Sequence, residues 1–218
     1  MEQRWARLWF AATAVVVLVA LVIQLLVTGS AGDGHFATPA TRTLNVLVFF
    51  TIQSNILVGA TSLVLALAPY RRSTAFAVLR LSGVVAIAIT GVVYHTLLRG
   101  LAVLTAWGTV ADVLLHSVVP VLAVFGWVAF GPRGRTSVRI ATLALVFPVA
   151  WLVFTLLRGP LVDWYPYPFV DVAELGYPRV LVNVAGISLL FLLVAYGAHA
   201  ADRLLTTRRP LAGEGAEP

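Results

Sequence analysis

Phe49-Phe50-Thr51-Ile52-Gln53-Ser54-Asn55-Ile56-Leu57-Val58 sets four polar side chains into a run otherwise apolar enough to lie in lipid. Read as helix, it aligns Thr51, Ser54, Asn55, Gly59 and Ser62 on one stripe, because residues three or four apart stand over one another. Hydrocarbon offers such groups no partners. The stripe therefore packs on other helices as polar glue, or it lines a cavity in which something is bound or cut.

The surrounding composition places the stretch in a membrane. Of the 218 residues, 60% are hydrophobic and 11% charged, outside the range of soluble domains. At about 20 residues per span the chain holds six spans in one domain. Without cysteine it has neither disulfides nor thiolate chemistry. All fifteen cations are arginine, which with abundant Ala, Val and Leu points to a GC-rich bacterial genome. The net charge of +6 is explained by topology rather than by nucleic acid, since the arginines flank apolar runs.

The spacing predicts spans over 9–27, 43–68, 75–98, 110–130, 138–157 and 179–201, giving an all-α bundle within 1–205 and a disordered tail over 206–218. Gly29-Ser30-Ala31 resembles a signal-cleavage site, but the preceding run from Trp9 to Val27 has the length of a span. Arginines fix the expected orientation. Eleven (Arg4, Arg7, Arg71, Arg72, Arg80, Arg133, Arg135, Arg139, Arg203, Arg208 and Arg209) fall on the side of the termini. Four (Arg42, Arg99, Arg158 and Arg179) fall opposite, so both termini are expected in the cytoplasm of a multi-pass cell-membrane protein.

Polar residues gather in the other, non-cytoplasmic half: Thr51, about 12 Å below its expected helix end at 1.5 Å per residue, then His116, His95, Asp112, Asn183, Gln24 and Thr155. This clustering predicts a cavity facing the non-cytoplasmic side. Asp112 and His116 are four apart, so the carboxylate can hold one ring nitrogen and leave the other inward as a base. Gly91, His95 and Arg99 form a further stripe. Thr51 is a candidate nucleophile with His116 as base and Asp112 as orienter, Asn55 or Ser54 donating to an oxyanion. A metal set of His95, His116, Asp112 and Asp171 is the weaker alternative, having no tight ligand motif. Asp163-Trp164-Tyr165-Pro166-Tyr167-Pro168-Phe169-Val170-Asp171 reads as a rigid interfacial aromatic belt, or as a lid fixed by Asp171 or Asp163 pairing with Arg158 or Arg99.

In order, Phe50-Thr51, then Asp112-x-x-x-His116-x-x-x-Pro120, then Tyr167-Pro168-Phe169, the chain resembles the androgen-induced-gene family of six-span membrane proteins. The Phe50-Thr51-x-Gln53-Ser54-Asn55 and Tyr165-Pro166-x-Pro168-Phe169-x-Asp171 forms look closer to its bacterial branch. The resemblance implies a threonine hydrolase of fatty acid esters of hydroxy fatty acids, with its threonine at Thr51 and histidine at His116.

The expected function is thus a membrane lipid esterase without cofactor or metal, its substrate an acyl ester. Thr51, His116 and Asp112 are the catalytic candidates. Asn55, Ser54, Gln53, His95, Arg99, Arg158, Tyr165 and Asp171 are the candidates for holding substrate. The alternative is a membrane protein that binds a lipid or small molecule without reaction. The expected partners are the lipid and the membrane, not nucleic acid.

Overall fold

The computed structural model describes residues 2–32, 34–69 and 73–207. Arg71, Arg72 and the tail from 208 onward lie outside the described residues, while 206 and 207 close the last helix. Six helical spans are long and apolar enough to cross a membrane, and no strand occurs among the described residues. The elements are α1 (Glu2–Ser30), α2 (Pro39–Val46), α3 (Phe50–Leu67), α4 (Thr74–Val93), α5 (Ala106–Val113), α6 (Val119–Phe130), α7 (Val138–Ala144), α8 (Val146–Val162) and α9 (Val172–Thr207). Widened turns, Tyr94–Leu98 and Leu114–Val118, extend α4 and join α5 to α6.

The fold is built around α3 and α4. Buried residues make up 72% of the apolar stretch of the span containing α4 and 56% of that of α3, against a third or less in the other four, so this pair forms the centre. Small and hydroxyl residues hold it together. Gly83 admits the side chain of Leu57 and Ser54 Oγ lies 3.2 Å from Thr90 Oγ1, while Ser82 Oγ ties α4 to α7 by donating to the Ala144 carbonyl at 3.2 Å. The glue reading of the stripe therefore holds for Ser54 and Ser62, both fully buried, and Gly59 packs against Val17 of α1.

The expected continuous span over 43–68 is not what forms. Its first part is a separate helix, α2, started by a capping box at Thr38 and Thr41, and the chain breaks over 47–49 before α3 begins. Thr51 is therefore in the first turn of α3, not two turns below the end of a longer helix. Non-helical backbone at membrane depth survives only where its polar groups are satisfied internally. Here Trp151 Nε1 donates to the Val48 carbonyl at 2.8 Å, and Gln53 Nε2 to the Leu47 carbonyl at 3.0 Å.

The loop between α8 and α9 is pinned at both ends. Asp163 closes α8 in the left-handed region (φ 48°), and Tyr165 lies over Gly159, where an added Cβ would come within 2.1 Å of the ring. On the far side α9 bends at Gly176 (φ 71°), ahead of Pro178. Replacing Gly159 by Ala should therefore lower stability by about 1–3 kcal/mol. Gly186→Ala, which meets nothing within 4 Å, should not. Thermal unfolding of the purified variants in detergent compares them; equal midpoints would refute the packing described for Tyr165.

Candidate functional site

The site begins with a backbone constraint. Pro120 has no N–H, so a helix running through it leaves a carbonyl one turn earlier without a donor. The Leu114–Val118 turn absorbs this by widening: the Val119 N–H returns to the Leu114 carbonyl, and in that register the donor for the Leu115 carbonyl would be Pro120, which has none. Asn55 Nδ2 supplies that partner at 3.3 Å and also donates to the Thr51 carbonyl at 2.8 Å. Gly91 lets Pro120 approach α4, for a Cβ added there would lie 3.2 Å from the proline Cβ.

On this widened turn His116 faces Thr51. Thr51 Oγ1 is 3.3 Å from His116 Nε2 and 3.2 Å from the Tyr167 hydroxyl, and the Thr51 N–H donates to that hydroxyl at 3.1 Å. His116 Nδ1 lies 3.0 Å from Asp112 Oδ1 and 3.0 Å from the Asp112 carbonyl. Both Nδ1 partners are acceptors, so Nδ1 carries the proton and Nε2 is left to accept from the Thr51 hydroxyl. Tyr94 donates to Asp112 Oδ2 and stacks on the imidazole, with centroids 4.0 Å apart at 14°. The resulting order, Tyr167 to Thr51 to His116 to Asp112, is an arrangement in which a histidine could take the proton of a hydroxyl while a carboxylate orients it.

Thr51 also borders a cavity of about 230 Å³. Its walls are apolar, with Phe50, Trp151, Phe169 and Phe191 prominent and only the hydroxyls of Thr51, Thr90, Tyr167 and Ser188 among them. Tyr167 stacks on Phe169 and packs edge-on against Phe49, so the loop forms one wall beside the threonine. Asn183 holds that wall through the Phe169 carbonyl at 3.0 Å. Burial pushes the Tyr167 phenol up, outweighing its bonds to Thr51, so it remains a donor at neutral pH.

Thr51, His116 and Asp112 thus come together as the sequence suggests, while the residues expected to hold substrate do not join them. Ser54 donates to the Phe50 and Thr51 carbonyls, and both Asn55 amide hydrogens are spent on carbonyls, so neither side chain is available to an oxyanion. Gln53 is spent on the helix break. The widened turn at Tyr94–Leu98 disrupts the stripe from Gly91, leaving His95 and Arg99 exposed, with His95 Nε2 3.0 Å from Ser117 Oγ. Among the described residues Arg158 pairs with no acid: its Nη2 donates to Asn45 Oδ1 at 2.8 Å and its guanidinium lies over Phe36 and Trp164. Tyr165 is a packing residue on Gly159. Asp171 caps α9, accepting from the Ala173 and Glu174 amides. No group of three or more His, Asp or Glu placed to hold a metal occurs among the described residues, so the set His95, His116, Asp112 and Asp171 does not assemble.

Two residues absent from those expectations belong to the site. Tyr94 precedes the highlighted His95, but the widened turn presents the tyrosine rather than the histidine to Asp112. Tyr167 stood in the aromatic loop and headed the Tyr167-Pro168-Phe169 island, but Tyr165 was the tyrosine expected to hold substrate. No family model matches the chain, and no curated protein or solved structure matches it.

The Trp151 hydrogen bond is what keeps the chain open ahead of Thr51. Trp151→Phe should cost about 1–3 kcal/mol by leaving the half-buried Val48 carbonyl without its donor, read as a lower unfolding midpoint. A variant as stable as wild type would mean that the broken backbone has another partner.

Proposed function

We propose that the protein is a membrane acyl-ester hydrolase with Thr51 as nucleophile, a member of the androgen-induced-gene family in its bacterial form. The observation that carries this reading is that one hydroxyl, Thr51 Oγ1, faces both a histidine nitrogen and an apolar cavity. The ordered islands around Thr51, His116 and Tyr167 add to it.

His116 Nε2 takes the Thr51 proton as Oγ forms a bond to the ester carbonyl carbon, giving a tetrahedral oxyanion. Tyr167 donates to that oxyanion, its hydroxyl already oriented by the Thr51 amide. The intermediate collapses as the alcohol leaves with the proton from His116, and Thr51 is left acylated. Water then attacks the acyl carbon while His116 takes its proton. Collapse returns a proton to Thr51 Oγ and releases the carboxylic acid. Asp112 holds the imidazole through Nδ1, and Tyr94 fixes the second carboxylate oxygen.

The cavity takes the acyl chain. Val149 of α8 and Leu192 of α9 at its edge are 57% and 42% exposed on the lipid-facing surface, so the chain enters sideways from the bilayer. The arginine distribution supports a cell-membrane protein with both termini in the cytoplasm and the site in the opposite half of the bilayer.

The second reading is a lipid-binding protein with no reaction. It is favoured by the Tyr167 hydroxyl, which fills the space before the Thr51 amide and needs to make room for a carbonyl oxygen. Turnover of medium- and long-chain acyl esters by detergent-purified protein separates the two. Thr51→Ala should abolish hydrolysis, and His116→Gln should lower it at least about a hundredfold, as loss of a general base does. Tyr167→Phe should lower kcat by about 10²–10³ with little change in KM, as loss of an oxyanion donor does. Full turnover by folded Thr51→Ala removes the hydrolase reading. Binding of the ester without turnover by wild type supports the second.

A further inference from the structure

The end of the bundle that carries the termini holds a second cavity, of about 260 Å³, between the start of α4, the end of α6 and the turn leading into α7. Arg80 lines it. This side chain is only 4% exposed, and among the described residues its Nε and Nη2 have no hydrogen-bond partner. Its remaining contacts are weak: Nη1 is 3.5 Å from Ser62 Oγ, and the guanidinium lies 5.1 Å from the centroid of the Phe10 ring. Arginine does not lose its proton in proteins, so this is a permanent buried cation with open donors. Burying such a charge without a counterion is expensive.

Among the described residues no acid lines the cavity. Asp202, a buried acid at this end, is fully engaged: it accepts from the amides of Gly134, Arg135 and Thr136 and from the Thr136 hydroxyl. It shapes the turn rather than neutralising Arg80. Arg135, on the same wall, brings a second guanidinium without a hydrogen bond or ion pair among the described residues. Ser73 and Thr74 line the cavity at the N-terminus of α4, a 20-residue helix whose dipole favours an anion there, although Ser73 Oγ already caps the Phe76 amide.

We propose that this cavity binds a phosphate group, with Arg80 and Arg135 as its cations and the Thr74 and Ser137 hydroxyls as further donors. Two planar guanidinium forks suit the several oxygens of a tetrahedral phosphate. The phosphate can belong to a phospholipid headgroup or be free in solution, and both present the same chemistry to the site. Its charge would supply the counterion that Arg80 lacks.

The test uses the full-length protein in detergent, in two arms. Native mass spectrometry with added phosphatidylglycerol, against diacylglycerol as the phosphate-free control, reads a lipid source. Thermal unfolding in sodium phosphate against sodium chloride at matched ionic strength reads a free one. Wild type should retain phosphatidylglycerol, or be stabilised by phosphate, and the arm that responds names the source. Arg135→Gln should weaken the response at least about tenfold, the loss of one hydrogen bond to a charged group. Arg80→Gln should do the same, with Arg80→Lys replacing it if the glutamine variant does not fold. Arg139→Gln, an exposed arginine outside the cavity wall, should bind as wild type does. No response in either arm, or a loss in Arg139→Gln equal to that in Arg135→Gln, overturns the site.

Discussion

Hydrocarbon leaves no backbone polar group a partner of last resort, and the site exists because at two of the places where the chain departs from the α-helix side chains repair the damage. Ahead of α3 the break over 47–49 is repaired by Trp151 and Gln53. At Pro120 the widened turn is repaired by Asn55. Each repair uses a residue from elsewhere in the fold or from the next turn, so the two irregular segments are held in register with each other. Thr51 and His116 sit on those segments, and their 3.3 Å approach is a consequence of that register.

The polar stripe of α3 thereby divides its labour. Ser54, Asn55 and Ser62 look into protein and make their hydrogen bonds to neighbouring helices and carbonyls, Asn55 through its Nδ2 alone. Thr51 alone among them borders the apolar cavity. The two sequence alternatives for the stripe, glue and cavity lining, are both realised, one helical turn apart. The loop before α9 completes the arrangement: Tyr165 locks it to α8, which lets Tyr167 reach the first turn of α3 and join two remote segments through its hydroxyl.

What the sequence disclosed followed from local spacing. Six spans were legible from apolar run lengths, and the Asp112–His116 pair from its four-residue separation on one helix. The helix break was not, since Leu47-Val48-Phe49 is as apolar as any helical stretch and its hydrogen-bond partners are Trp151, about a hundred residues away, and Gln53. Arg158 was expected to seek an acid because charge is what a sequence displays. Its actual neighbours, Asn45, Phe36 and Trp164, depend on how the loops fold over one another. The widened turns explain the exchange of His95 for Tyr94: inserting one residue into a helical turn rotates everything beyond it, and periodicity of 3.6 cannot foresee that.

The central claim is that Thr51 Oγ is a nucleophile made reactive by His116. Treating the purified protein with a fluorophosphonate and locating the adduct by tandem mass spectrometry tests it at a single atom. The expected result is one adduct on the peptide that contains Thr51, assigned to Thr51 and lost when His116 is replaced. An adduct on any other residue, or an unmodified protein that is demonstrably folded, contradicts it.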